Sequence, residues 1–247
     1  MFELKNIDRL ALQVQARAAQ YAQKLLQLHG ENVESIIVYG SAAGINFQPK
    51  VSNINLVVLV RVLDFQFLQR SLKLAGWGLK YKIMAPLFLT REQINDSLDV
   101  FPIEYGEIKD NHVAIFGEDV FSALAVDGKH LRIFCEEQIK GKLLRLRQAY
   151  LESGADPKIV HRILVNSLGA LVPVFRQLLR LTGMQPDVDK EVLFKQLKER
   201  FGVDAAVFVA VYRQKSSMAP LSVSRLEGLL KDLMQQLQLL ASQVDRL

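Results

Sequence analysis

The chain has 247 residues, 50% of them hydrophobic, which is enough to bury one large core or two modest ones. Its single cysteine, Cys135, excludes an internal disulfide framework; no Cys/His spacing suggests structural zinc, and no apolar run reaches the roughly eighteen residues of a spanning helix. The formal charge of +5 is uneven, because residues 1–127 hold 12 Lys/Arg against 14 Asp/Glu while 128–247 hold 19 against 12. Two modules are expected, the second either facing something acidic or displaying solvated basic helices.

Residues 7–29 carry Leu10, Val14, Ala18, Tyr21, Leu25 and Leu28 at helical spacing, and His29-Gly30 ends that helix. Ser35–Tyr39 and Ile54–Val60 are β-branched apolar runs, too short and dense for amphipathic helices. Asp64–Ala75 reads as a helix broken by Gly76-Trp77-Gly78, and Lys82–Leu89 as another strand. Thr90-Arg91-Glu92-Gln93 fits a capping box that opens a short helix. Pro102–Ile108 and His112–Phe116 complete a strand-rich half.

After about Gly128 the texture turns to long helices of 3.6-residue period. Leu131, Phe134, Cys135, Ile139, Leu143, Leu146 and Tyr150 form one stripe. Asp156-Pro157 supplies an N-cap and a first-turn proline for a helix to about Leu181, apolar on most faces, which Pro173 should kink. Shorter helices are expected near 189–200 and 204–214. A last one opens at a second capping-box match, Ser224-Arg225-Leu226-Glu227. Leu226, Leu230, Leu233, Leu237, Leu240, Val244 and Leu247 then form a heptad seam, expected either to pack within the bundle or to pair two copies of the chain.

The stretch 36–60 carries the functional signal. An apolar strand runs into Gly40-Ser41, and after the intervening loop Ser52-Asn53-Ile54-Asn55 opens a second apolar strand. This layout resembles the signature of the nucleotidyltransferase superfamily, the polymerase-beta-like fold, in which Gly-Ser is followed by an Asp-apolar-Asp triplet. The order of elements is similar to that of kanamycin-type nucleotidyltransferases and of relatives with a HEPN-like helical domain. The resemblance implies an α+β chain: a nucleotidyltransferase-like mixed sheet with flanking helices over 1–127, then an all-α helical bundle over 128–247. It further implies that Gly40 lets the backbone approach a triphosphate, while the Ser41 hydroxyl and nearby amides bind phosphate oxygens. The triplet places two side chains on one face of the second strand, because strand residues alternate. In the family those are carboxylates that hold two magnesium ions for in-line attack on an alpha-phosphate.

Here the two triplet positions are Asn53 and Asn55. A third acidic position would fall to Glu107 or Glu104, with Glu107 preferred because the adjacent Gly106 permits close approach of a ligand. Neutral amides should hold magnesium poorly, since one unit-charge pair at 4 Å is worth about 4 kcal/mol at an effective dielectric near 20. The expectation is therefore a pseudoenzyme that binds a nucleotide, a nucleic acid or a protein partner in a cleft between its modules. No cofactor is certain. The alternatives are an active enzyme, for which Mg2+ would be required, and an antitoxin-like oligomerisation module built on the seam at 226–247.

Other sites are weaker. Cys135 lies on an apolar stripe and reads as a structural thiol. No histidine follows His161, so the Arg–His motif of HEPN ribonucleases is missing and ribonuclease activity is not inferred. The basic helix around Lys129, Arg132, Lys140, Lys142, Arg145 and Arg147 could hold phosphates, but no aromatic residues interleave to stack bases. The start Met-Phe-Glu-Leu-Lys-Asn lacks the pattern of a signal peptide, so a cytoplasmic protein without a membrane role is expected.

Overall fold

The computed structural model describes residues 2–44, 47–49, 52–125, 127–215 and 221–247. The chain divides into two compact units, Met1–Val126 and Asp127–Leu247, and its class is α+β.

Unit 1 is a four-stranded sheet with helices on both faces. Its elements in chain order are α1 (Leu12–His29), β1 (Val33–Tyr39), β2 (Asn55–Val60), α2 (Phe65–Lys80), β3 (Leu87–Leu89), α3 (Arg91–Asp96), α4 (Pro102–Asp110) and β4 (His112–Gly117). The sheet order is β3-β2-β1-β4; β1 runs antiparallel to both its neighbours, and β2 pairs with β3 in parallel. Period-two alternation sends Ile36, Val38, Leu56, Val58 and Val60 to one face, where they pack with Val14, Tyr21 and Leu25 of α1 and Phe67 and Leu74 of α2. Ile37, Val57, Leu59 and Ala114 point to the other face and pack against Ile94, Tyr105, Ile108, Phe121 and Leu124.

Several elements depart from the sequence reading. Gly76 and Gly78 do not break α2, which continues to Lys80. Gly78 is instead a packing notch, since a Cβ there would lie 2.8 Å from the Tyr21 ring. The strand expected over Lys82–Leu89 shrinks to Leu87–Leu89 plus a bridge between Ile83 and Ile54. Lys82 has a φ of 60° and Pro86 has no N–H to give to a ladder. The segment from Pro102 is the helix α4 rather than a strand, with the proline in its first turn and Ile103, Tyr105 and Ile108 buried. The capping box at Thr90 is present: Thr90 Oγ1 accepts from the Gln93 amide at 3.2 Å and Gln93 Oε1 accepts from the Thr90 amide at 3.0 Å.

Unit 2 is a bundle of α5 (Gly128–Glu152), α6 (Pro157–Leu181), α7 (Lys190–Phe201), α8 (Ala205–Gln214) and α9 (Val223–Val244). Asp156 caps α6 by accepting from the amides of Lys158 and Ile159, and the helix runs on through Pro173. By length and composition α6 could cross a membrane. Eleven of its residues are nevertheless buried, as befits the central helix of a bundle. Phe175, Phe194 and Phe208 meet at centroid distances of 5.3–6.3 Å in the core. The seam residues Leu226 to Val244 are buried where α9 packs with α5, α6 and α8, and Leu247 alone among them is exposed. Ser224 is not a cap: α9 begins at Val223, with Ser222 in the N-cap position and no side-chain cap bond.

Candidate functional site

At the end of β1 the chain leaves the sheet through Tyr39 and turns at Gly40 into a 3-10 turn, Gly40–Ala43. Gly40 has a φ of +72°, a left-handed conformation that glycine adopts at least cost. Its amide donates to the Asn111 carbonyl at 2.8 Å, which ties the turn to the start of β4.

Asn55 is the first residue of β2 and pairs with Tyr39, which in turn pairs with His112 of β4. Directly opposed residues share a face, so Asn55, Tyr39 and His112 form a row across three strands, roughly 10 Å from end to end. A Cβ added to Gly40 would lie 3.6 Å from Asn55 Nδ2, so the turn and the amide are neighbours. Asn53 is exposed two residues earlier, and the buried Ile54 between them belongs to the opposite face. Of the loop joining the turn to β2, the described part closes on itself: the Ser52 amide donates to the Gln48 carbonyl at 2.7 Å, and Ser52 Oγ accepts from the Gln48 amide at 3.0 Å.

The structure thus brings Gly40, Ser41 and Asn55 to one corner of the sheet, with Asn53 leading into it. Glu104 and Glu107 are not on a neighbouring strand. They sit three apart on α4, Glu104 exposed and Glu107 half-buried, so as helical residues they lie on one side rather than on opposite sides.

A pair was missed from the sequence. His112 Nε2 lies 2.7 Å from Asp119 Oδ1, and Nδ1 lies 3.0 Å from the Lys109 carbonyl oxygen. Asp119 also accepts from the Ser122 amide at 3.1 Å and the Ser122 hydroxyl at 2.6 Å. Burial alone would raise the Asp119 pKa, but the hydrogen bonds from Ser122 and His112 outweigh it and hold the carboxyl below its ordinary range. The only sequence signal was a histidine at a strand start followed by an aspartate after the strand, which is too common to read. Tyr39, between the two ends of the row, is half-buried, and burial raises its phenol pKa.

A depression of about 410 Å³ lies on the same face toward the far end of β1, between Leu59, Arg91, Ile94, Leu98 and Asp119. There Arg91 bridges Glu34 at 3.0 Å and Glu118 at 2.7 Å.

The resemblance implies two magnesium ions on carboxylates beside Gly40-Ser41, and the residues present do not fit that pair. Asn53 and Asn55 are neutral, and residues 81–90, which run through β3 beside β2, contain no Asp or Glu. Among the described residues no group of three His, Cys, Asp or Glu side chains is gathered closely enough to hold a metal ion. The corner offers what phosphate oxygens need without a metal: a hydroxyl, carboxamide donors and a glycine backbone that a ligand can approach closely.

No protein-family model and no curated protein matches the chain. Among solved structures it is similar to a spectinomycin adenyltransferase from Enterococcus faecialis, determined with ATP and spectinomycin. That likeness has a TM-score of 0.55 at 12% identity and covers 90% of this chain and 99% of that one. A nucleotidyltransferase-like protein from Exiguobacterium sibiricum aligns over 92% of this chain and 75% of its own, at 14% identity and a TM-score of only 0.36. At these identities the first likeness speaks for architecture alone: the chain has a nucleotidyltransferase-like α+β fold.

Proposed function

We propose that unit 1 is a nucleotidyltransferase-like module that binds the phosphates of a nucleotide at Gly40-Ser41 without a metal, and that nucleotidyl transfer is impaired in it. One observation carries this reading. Gly40 and Asn55 are neighbours at the corner of the sheet, 3.6 Å from a notional Cβ to Nδ2, and the triplet position that would need a carboxylate is an amide. A unit-charge pair at 4 Å is worth about 4 kcal/mol at an effective dielectric near 20, and a carboxylate opposite a divalent ion about twice that, so two losses leave transition-state charge unscreened. Contacts from a hydroxyl, an amide and backbone N–H groups need no metal and survive. In this reading the helical unit is a HEPN-like bundle without ribonuclease chemistry.

The test is calorimetry of ATP, GTP, CTP and UTP with the full chain and with Ser41→Ala/Asn55→Ala. Binding that weakens at least tenfold in the double variant supports the site; equal binding by both chains removes it.

A second reading, a working transferase, is favoured by one observation: His112 carries the Asp119 carboxylate to the same face as Asn55. Release of pyrophosphate from a nucleoside triphosphate in the presence of Mg2+, abolished by Asp119→Asn, would establish it. No release from the native chain counts against it.

A further inference from the structure

Unit 2 holds a group of cations, without an ion pair among the described residues, that the reading of unit 1 does not use. Lys142 and Arg145 of α5 and Arg162, Asn166 and Ser167 of α6 line one depression of about 230 Å³ between the two helices. Lys142 and Arg145 stand three apart on α5, and Arg162 and Asn166 four apart on α6, so each pair shares a helix face. No carboxylate lines the depression. None of the three cations takes part in an ion pair among the described residues, in contrast to Arg132 and Lys140 on the same α5, which both pair with Glu136.

The neutral groups point the same way. Ser167 is 8% exposed, and neither its hydroxyl nor the Asn166 carboxamide makes a hydrogen bond among the described residues. Three like charges around one hollow repel one another. Burial, and after it the charge of Arg145, pushes the Lys142 pKa down, which is the response of a cation lacking its counter-charge. All of these tensions are relieved by one kind of ligand, a compact polyanion with several acceptor oxygens. Two guanidinium groups suit phosphate oxygens in particular, because their planar forks match them bidentately.

We infer that the α5–α6 depression is a binding site for an oligophosphate group, held by Lys142, Arg145 and Arg162 and oriented by Asn166 and Ser167. Its volume fits two or three linked phosphates rather than a whole nucleotide, and three positive charges match that anion. No aromatic side chain lines it, so it offers a base no stacking surface. That favours a small anion over a single-stranded nucleic acid. The inference stands on unit 2 alone and does not require the nucleotide reading of unit 1.

The experiment is calorimetry of the full chain with inorganic tripolyphosphate, with ATP and with a 12-nucleotide RNA, without Mg2+ at low salt. Three proteins are compared: the native chain, Arg145→Gln/Arg162→Gln, and Ser41→Ala/Asn55→Ala. Both arginines are exposed, so their replacement leaves the core intact. Tripolyphosphate should bind the native chain, weaken roughly tenfold for each guanidinium removed, and bind the unit 1 variant unchanged. Affinity should fall steeply between 50 and 300 mM salt. In the Ser41→Ala/Asn55→Ala chain, ATP binding no tighter than tripolyphosphate identifies a free oligophosphate as the ligand; ATP binding at least tenfold tighter there identifies the tail of a nucleotide. Tripolyphosphate affinity and stoichiometry left unchanged by the double arginine replacement overturn the inference, as does binding of RNA alone. Loss of tripolyphosphate binding only in the unit 1 variant overturns it too, and leaves the proposal for unit 1 standing.

Discussion

Gly40 and Asn55 define the corner of unit 1 on which the functional account turns: a Cβ at residue 40 would lie 3.6 Å from Asn55 Nδ2, while the backbone there holds a φ of +72°. The close approach leaves room for a methyl group, so the penalty of Gly40→Ala comes from the left-handed backbone and not from a clash. That strain amounts to about 1–2 kcal/mol. Thermal unfolding should show a matching loss of stability, with any nucleotide affinity changed less than in Ser41→Ala/Asn55→Ala. A Gly40→Ala protein as stable as the native chain would contradict the strained turn.

His29 should make stability depend on pH. Its ring stacks on Phe67 at 3.9 Å, and Nε2 lies 2.9 Å from Ser71 Oγ. The Ser71 hydroxyl gives its own proton to the Phe67 carbonyl at 2.9 Å, so the histidine nitrogen must be the donor between them. Burial, and after it the charge of Arg70, pushes the His29 pKa below its ordinary value. Because the folded pKa is the lower one, the unfolded chain binds more protons in the window just below pH 6.5. The stabilisation is therefore complete above the unfolded pKa and is lost as pH falls through that window. Unfolding of the native chain between pH 7.5 and 5.5 should show a larger drop in Tm than unfolding of His29→Gln; parallel curves would contradict this.

The leucine seam of α9 is consumed inside unit 2. Leu237 is fully buried, whereas Leu239 on the same helix is 38% exposed. Leu237→Ala removes core volume and should cost about 2–5 kcal/mol, while Leu239→Ala should stay within about 0.5 kcal/mol. Denaturant titration of the two variants checks the contrast. Equal effects would mean that the seam is not packed as described.

Cys135 should be inert in the folded protein. It is fully buried on α5, and desolvation pushes its thiol pKa up to about 12. An aromatic disulfide reagent at pH 8 should modify it only at the rate of unfolding, and rapidly in denaturant. Rapid modification of the native chain would contradict the packing of α5 against α6.

Much of this architecture was legible in the residues. The long helices of unit 2 announced themselves through apolar stripes and, for α6, the Asp156-Pro157 start, signals strong enough to resist local competition. The strands β1 and β2 were equally plain, since their apolar runs are short and β-branched. The failures came where two readings shared one pattern. Ile103 and Tyr105 alternate as in a strand, yet Pro102 in the first turn and the burial of Ile108 belong to a helix. Gly76 and Gly78 read as a break, but Gly78 is small because the Tyr21 ring fills the place of its side chain. That reason resides in α1, far away in sequence. At the candidate site the resemblance singled out Gly40, Ser41, Asn53 and Asn55, and the structure sets the Gly40 turn beside Asn55. The pairing of His112 with Asp119 was invisible, because it depends on how the segment after β4 folds back over the sheet.

We propose that the corner at Gly40-Ser41 binds nucleotide phosphates but cannot use a metal. Calorimetry of ATP with and without Mg2+, on the native chain and on Asn53→Asp/Asn55→Asp, tests it most directly. Mg2+ should leave binding by the native chain unchanged within about twofold and strengthen binding by the double variant at least tenfold, about 1.4 kcal/mol. Strong Mg2+ dependence in the native chain, or no response to Mg2+ in the variant, would contradict it.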